Sequence, residues 1–313
     1  MSVAANLTLP AIAVPWRRPP ETGSRVRVAV THFTDPLCPW AYSFEPVLRA
    51  LEARYGDQLV FHTVLIGLVG NVEQSLARGS SAAGRALTAL RFRRYGMPIT
   101  PHVRDRVIAS EPACLLVKAA AEQGAELADA LLRVLRLAWY TTDLLLDEDA
   151  ALAAVCASVA GLDGAAALAD RDAAAVRAAY EADRLEARTP HPVATTLRRT
   201  ANSDGAERHT APTLILTAQD GSSAVVPGFQ PFEAADVALM NLEPRLRRLP
   251  APALENLLAA YPAGLASQEV ARTLADTTAP VDRVGAEQQL TELVAAGRAR
   301  RFALGDDALW TPA

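Results

Sequence analysis

The period of the apolar positions changes several times along the chain. Residues 26–33, Val-Arg-Val-Ala-Val-Thr-His-Phe, alternate enough to predict a strand. From residue 38 to about Tyr55 the pattern predicts a helix, which Gly56-Asp57 stops. Residues 59–66, Leu-Val-Phe-His-Thr-Val-Leu-Ile, predict a second strand. Strand, helix, strand in this order predicts a right-handed parallel unit. From Val72 to about Arg199 the pattern is almost wholly helical, with three- and four-residue spacing in 111–123, 125–140, 148–160 and 172–187. Gly124, Gly161 and Asp163-Gly164 punctuate it. Thr189 to Arg208 is polar and is read as a loop. Thr210 to Thr217 predicts a strand opened by Pro212, Gln219 to Ser222 a hairpin turn, 224–226 its partner strand, and 232–242 a helix. Beyond a Pro- and Arg-rich stretch, helical patterns recur near 253–260, 267–275 and 282–296, and 298–310 reads as a hairpin.

Composition narrows the function classes. The 313 residues suffice for two domains or for one with a large insertion, and half of them are hydrophobic. Few aromatics and many alanines and leucines favour a mostly helical protein. A net charge of −4 gives no support to nucleic acid or an anionic membrane as partner. The three cysteines, Cys38, Cys114 and Cys156, form no C-x-x-C pair. That fits a reducing, cytoplasmic compartment. The proline-broken start, Met1 to Arg25, reads as an extended arm and not as a signal peptide. No metal-ligand spacing and no phosphate-binding glycine motif occurs.

One cysteine falls at the join of the first strand and helix. Asp35-Pro36-Leu37-Cys38-Pro39-Trp40-Ala41-Tyr42 places Cys38 at a helix N-terminus. Unpaired N–H groups and the helix dipole favour an anion there, so a thiolate nucleophile with a lowered pKa is expected. Pro39 suits the first helical turn because its missing N–H would have had no partner. Cys114 and Cys156 lie on apolar helical faces and are expected in the core.

This stretch resembles the D-P-x-C-P-W-C turn of thioredoxin-fold proteins of the DsbA type, most closely the FrnE-like branch. Ala41 stands where that family has its second cysteine. A C-x-x-C pair works because the second thiol resolves the mixed disulfide of the first. The resemblance covers about 26–243 and implies an α/β thioredoxin fold, built from 26–70 and 205–243, with an all-helical insertion at 71–204. Arg94 to Pro98, Ala119 to Gly124 and Trp139 to Asp143 fit the insertion. The resemblance further implies that Pro212 is cis and faces Cys38, with Ala211 presenting its backbone. Pattern alone assigns 1–25 to the arm, 244–252 to a linker and 253–313 to a small winged-helix-like domain. Residues 254–313 carry eight acidic residues against five arginines, a net of −3, so a packing or dimerisation module is expected in preference to a DNA-binding one.

The candidate catalytic residues are Cys38 and His209, the latter three residues before Pro212. The candidate substrate-binding residues are Pro39, Trp40, Tyr42, Met97, Pro98, His102, Ala211 and Pro212. Family members close over the active site with the segment matching Met97-Pro98. Without a resolving thiol, an adduct at Cys38 must leave by reversal or through an outside thiol. Addition to a conjugated double bond, rotation and elimination need only reversal. By resemblance, kappa-class glutathione transferases and hydroxychromene-carboxylate isomerases share the insertion architecture, and FrnE-like proteins occur with polyketide pathways. The expectation is a cis–trans isomerase of a conjugated small molecule, free or carrier-bound. No cofactor is expected beyond a low-molecular-weight thiol, and a homodimer through the helical or C-terminal domain is allowed. The alternatives are a monothiol oxidoreductase or thiol transferase, and a non-catalytic adapter.

Overall fold

A computed structural model describes residue 12 and residues 17–202, 205–276 and 280–313. The central sheet opens with β1 (Val28–Thr34), followed by α1 (Pro39–Ser43), α2 (Glu45–Tyr55) and β2 (Leu59–Leu65). Seven helices come next: α3 (Val72–Ala77), α4 (Ala82–Phe92), α5 (Glu111–Gln123), α6 (Ala125–Thr141), α7 (Asp149–Cys156), α8 (Gly164–Asp170) and α9 (Ala174–Ala187). The chain then forms α10 (Pro192–Thr196), β3 (Thr200–Asn202) and β4 (Glu207–His209). It returns to the sheet with β5 (Thr213–Thr217), β6 (Ser223–Pro227) and α11 (Phe232–Leu242). The C-terminal module is α12 (Leu254–Ala260), β7 (Leu265–Ala266), α13 (Ser267–Leu274), α14 (Arg283–Ala295), β8 (Ala299–Leu304) and β9 (Asp307–Pro312).

The four-stranded sheet has the order β2-β1-β5-β6. β1 runs parallel to β2, from Val28 opposite Leu59 to Thr34 opposite Leu65. Its other edge is antiparallel to β5, with Phe33 opposite Thr213. That register brings the end of β1, and Cys38 after it, beside the start of β5. Two apolar layers sandwich the sheet. Val28, Val30, Leu214 and Leu216 pack with Leu48 and Leu51 of α2 and with Phe232 and Leu239 of α11. On the other side Phe33, Val64 and Ile66 pack with Cys38, Ala41, Ala187 and Ala211. A third core joins the helical insertion to the C-terminal module, with Leu116, Leu131 and Leu135 in one cluster with Leu257, Leu290 and Trp310.

Several local readings change. The helix after Cys38 breaks at Phe44, its two parts starting at Pro39 and at Glu45-Pro46. The stretch read as a loop contains α10 and the β3–β4 ribbon, where Thr200 pairs with His209. In the C-terminal module the order is helix, strand, helix, helix, strand, strand, and β7 completes an antiparallel sheet β7-β9-β8. α13 packs on α2, so this module covers the sheet domain's own helix.

Buried charge holds the units together. Glu45, Arg49 and Glu52 on α2 face Arg133 and Arg136 of α6. Arg133 donates both terminal nitrogens to Glu269 of α13 at 2.8 Å and one to the Gly264 carbonyl at 3.0 Å. Burial alone would raise the Glu45 carboxyl, but Arg136, Arg49 and Arg133 hold it down at about 2. The arm belongs to this network, since Arg17 pairs with Glu52 and Asp129. Gly56 has φ 59°, and a Cβ there would meet the Pro20 carbonyl oxygen at 1.9 Å, so only glycine lets the arm cross the end of α2. Among the described residues no helix is long and apolar enough to cross a membrane.

Candidate active site

Cys38 is the N-cap residue of α1 (φ −80°, ψ 116°), with Pro39 in the first turn. The Ala211–Pro212 peptide is cis. The Cys38 thiol donates to the Ala211 carbonyl, Sγ to O 3.4 Å. The structure therefore brings together Cys38, Ala211 and Pro212 as the motifs imply. Ala41, in place of a second cysteine, is fully buried beneath Cys38 in the same apolar cluster. Cys114 and Cys156 are buried in the helical core.

The electrostatics differ from the expected lowered pKa. Cys38 is only 4% exposed. Burial pushes its thiol from an ordinary 9.0 up to about 11, outweighing the N–H groups of Ala41 and Trp40. The Asp35 carboxylate adds to the rise. Asp35 is fully buried and accepts from Leu37 N–H at 2.9 Å, Leu68 N–H at 2.7 Å and Ser110 Oγ at 2.9 Å. Its own carboxyl is raised by burial, against those hydrogen bonds. The helix N-terminus is thus present, but it acts on a desolvated sulfur above a buried acid.

The other candidates separate into two groups. Pro39 and His102 line a cavity of about 410 Å³ together with Leu37, Leu68, Arg85 and Tyr140, and Cys38 itself is not among the lining residues. Trp40, 39% exposed, stands at the surface and packs against Phe92, Tyr95 and Phe229 with ring centroids 4.7–5.5 Å away. Tyr42, Met97 and Pro98 are buried. The Tyr42 hydroxyl donates to the Pro98 carbonyl at 2.8 Å, and its ring stacks on Tyr140 at 4.4 Å. These three residues form the layer beneath the site and do not offer a surface to a substrate.

His209 does not fill the partner role. Its ring lies on Phe33 at 4.3 Å, and its Nε2 accepts from the His191 N–H at 3.2 Å. Burial lowers its pKa to about 4, so it is neutral near pH 7 and supplies no cation for a thiolate. Its ring neighbour Phe33 is a member of the Cys38 cluster. Residues that pattern reading passed over matter more: Asp35, Arg85, Arg104 and Tyr140, whose hydroxyl donates to the Leu37 carbonyl at 2.8 Å. Asp35 carried a signal in its place in the cysteine motif and Tyr140 in the Trp139–Asp143 stretch, while Arg85 and Arg104 carried none.

The segment 96–100 is held from outside by the C-terminal module. Asp306, at the β8–β9 turn, accepts from the Ile99 N–H at 2.7 Å and pairs with Arg93 at 2.9 Å. Arg283 donates to the Gly96 carbonyl at 3.0 Å. On the inner side Thr100 N–H donates to the Tyr140 carbonyl at 2.7 Å. Among the described residues no cluster of His, Cys, Asp and Glu could hold a metal ion.

Two curated relatives are similar to this chain, and both are ClpXP adapter proteins, SpxH. That of Shouchella clausii is 28% identical over 249 residues, 77% of this chain and 76% of the relative. That of Halalkalibacterium halodurans is 30% identical over 137 residues, 42% of this chain, and the match spans less than half of that relative, 44%. Two solved structures share the fold. A candidate protein disulfide isomerase from Nitrosomonas europaea is 15% identical, covers 69% of this chain and 97% of its own, and has a TM-score of 0.53. A DsbA oxidoreductase candidate from Streptomyces coelicolor is 21% identical, covers 73% and 96%, and has a TM-score of 0.50. A family model described as thioredoxin matches residues 32–189, just over half of the chain. The sheet order, the cysteine at the first helix and the facing cis-proline agree with that match, and the chain belongs to this thioredoxin family.

Proposed function

We propose that the protein is a cysteine-dependent enzyme acting on a small molecule, with cis–trans isomerisation of a conjugated carbonyl compound as its reaction. The carrying observation is the lone thiol. Cys38 faces the cis-Pro212 turn, while the position of a resolving cysteine is filled by buried Ala41. The thiol's 4% exposure favours a small substrate over a folded protein's disulfide.

Isomerisation balances without an oxidant or an outside thiol. The Cys38 sulfur bonds to the β-carbon of the conjugated system, and the π-electron pair moves toward the carbonyl. The carbon next to the carbonyl takes the thiol's proton, which the resting site holds toward the Ala211 carbonyl. The new single bond rotates. Loss of that proton and departure of the sulfur restore the double bond in its other geometry. The protein's part is to hold the thiol, exclude water and fix the carbonyl end.

The test incubates wild type and Cys38→Ser with polyenoyl and enone acids and follows the isomer ratio by chromatography. Conversion should vanish in Cys38→Ser. Full activity in that variant rules out the covalent route. A second reading, an adapter that uses the fold to hold a protein partner, is supported by the likeness to the SpxH relatives. We read the C-terminal module as winged-helix-like, used for packing within the chain.

A further inference from the structure

The cavity of about 410 Å³ has two unlike walls. One belongs to the packed body of the protein and includes buried Leu37, Trp139 and Tyr140. The other is built by residues 78–89, which supply nine of the eighteen lining residues. Those nine lie in a segment, 70–91, in which Ala86 alone is buried among the described side chains. Leu76, Leu87 and Leu90 are 44–57% exposed. α3 makes no extended packing with any other element, and α4 packs mainly on α1 and on the turn that follows it. A segment with so few buried apolar contacts belongs to the least stable part of a fold.

Within itself the segment is well bonded. Arg85 donates to Ser75 Oγ at 3.1 Å, the Ser75 hydroxyl donates to Ser80 Oγ at 2.9 Å, and the Ser80 N–H donates to the Ser75 carbonyl at 3.1 Å. Ser81 caps α4 by accepting from the Gly84 N–H at 3.0 Å. These bonds tie α3 to α4, so the two move together. Toward the body, Arg85 reaches the Ile108 carbonyl only weakly, at 3.5 Å.

The two ends of the segment are anchored. Leu68 N–H donates to Asp35 at 2.7 Å, and Val69 exchanges bonds with Ser110 at 3.0 and 2.8 Å. Gly70 follows directly. At the far end buried Phe92 packs on Trp40, and Arg93 donates to the Ile99 carbonyl at 3.1 Å and pairs with Asp306. Gly96 closes this anchor with φ 84°, its carbonyl held by Arg283, and a Cβ on it would meet Gln268 Oε1 at 2.6 Å. The first anchor belongs to the Cys38 turn and the insertion. The second is held by the C-terminal module.

We infer that residues 70–91 are a lid on this cavity, swinging as one body about Gly70 and the Phe92–Gly96 anchor, and that the C-terminal module, by holding the second pivot, controls how often the cavity opens. The inference concerns access and does not depend on the reaction proposed above. Hinges of this kind are a few element-terminal residues between parts that stay rigid. Opening exposes one buried lid side chain, Ala86, and leaves the hydrogen bonds inside α3 and α4 intact.

The test places a reporter thiol under the lid with Ala86→Cys in the full chain, labelled by a maleimide and mapped by mass. Its labelling should be slowed between about tenfold and about a thousandfold against the unfolded chain, the scale of a local opening. Cys114, in the helical core, should stay protected by more than about ten-thousandfold, the scale of global unfolding. Leu87→Cys, on the outer face of α4, is the control and should label at nearly the unfolded rate. Amide exchange on the Ala86→Cys chain separates swinging from melting: the amides of 86–91 should be protected at least about tenfold more strongly than the thiol. Equal protection of thiol and amides means local unfolding and overturns the lid. Protection of the thiol equal to that of Cys114, or labelling as fast as Leu87→Cys, overturns it as well. Adding Arg283→Met and Asp306→Asn should speed labelling of the Ala86→Cys thiol by about threefold, the scale of a part-exposed ion pair, with Cys114 unchanged. No change, or equal acceleration at Cys114, overturns control by the C-terminal module.

Discussion

The pH dependence of Cys38 alkylation is the sharpest consequence of its burial. The thiol is raised from 9.0 to about 11. At pH 7 that leaves a thiolate fraction of about 10⁻⁴ instead of about 10⁻², so reaction should be roughly 100-fold slower on ionisation alone. Limited access lowers the absolute rate further but does not move the midpoint of the profile. The rate should therefore climb about tenfold per pH unit from 7 to 10 and bend only near 11. The assay is mass-mapped iodoacetamide labelling of the native chain, with the unfolded chain as reference. Asp35→Asn removes a charge that opposes ionisation, so its profile should bend at lower pH. The same shift is a stability statement. The folded state favours the thiol, so its contribution is complete below pH 9 and is lost as pH rises through 11, a loss of about 3 kcal/mol. A labelling profile that bends below pH 8 would refute the reasoning and restore the helix N-terminus as the dominant influence.

The remaining predictions concern the missing thiol and the buried charges. Ala41→Cys should let a mild oxidant close a disulfide with Cys38, seen as loss of the new thiol pair in a thiol titration, and should raise insulin-disulfide reduction above the near-background rate of wild type. No change in either would argue against the C-x-x-C geometry of this turn. Arg133→Met strands Glu269 and weakens the hold on Glu45, and should cost about 3–5 kcal/mol in denaturant unfolding. Glu45 is held at about 2 against an ordinary 4.5. Its contribution to stability is therefore present above pH 4.5 and is lost as pH falls toward 2, a slope that Glu45→Gln should flatten in acid unfolding curves.

The parts of the fold that were legible in the sequence are those with local causes. β1 shows as an apolar alternation, α11 begins after Pro231, and the Cys38 turn carries its own prolines. The pairing of Cys38 with Pro212 came from a motif resemblance. What stayed hidden was set by distant neighbours. Tyr42 follows Cys38 closely in sequence, yet Tyr140 and Pro98 turn it inward. His209 looked poised beside Pro212, but β4 pairs with β3 and Phe33 takes its ring. Arg85 and Arg104 are indistinguishable in sequence from solvated arginines; only the packing of the insertion turns them toward one cavity. The thiol pKa was misjudged because a helix N-terminus is visible in sequence and desolvation is not.

The hairpin at the end of the chain has a kinetic consequence for the site. Asp306 and Arg283 bond the backbone of Ile99 and Gly96, roughly two hundred residues away, while Tyr42 and Tyr140 grip the same segment from inside. A loop tied on both faces does not open by itself. Its amides exchange with solvent only when the C-terminal module lifts, so the module and the floor of the Cys38 site behave as one cooperative unit. Shortening the protein to its sheet and insertion would thus alter more than its length, because the hairpin and α14 fix a loop made roughly two hundred residues before them.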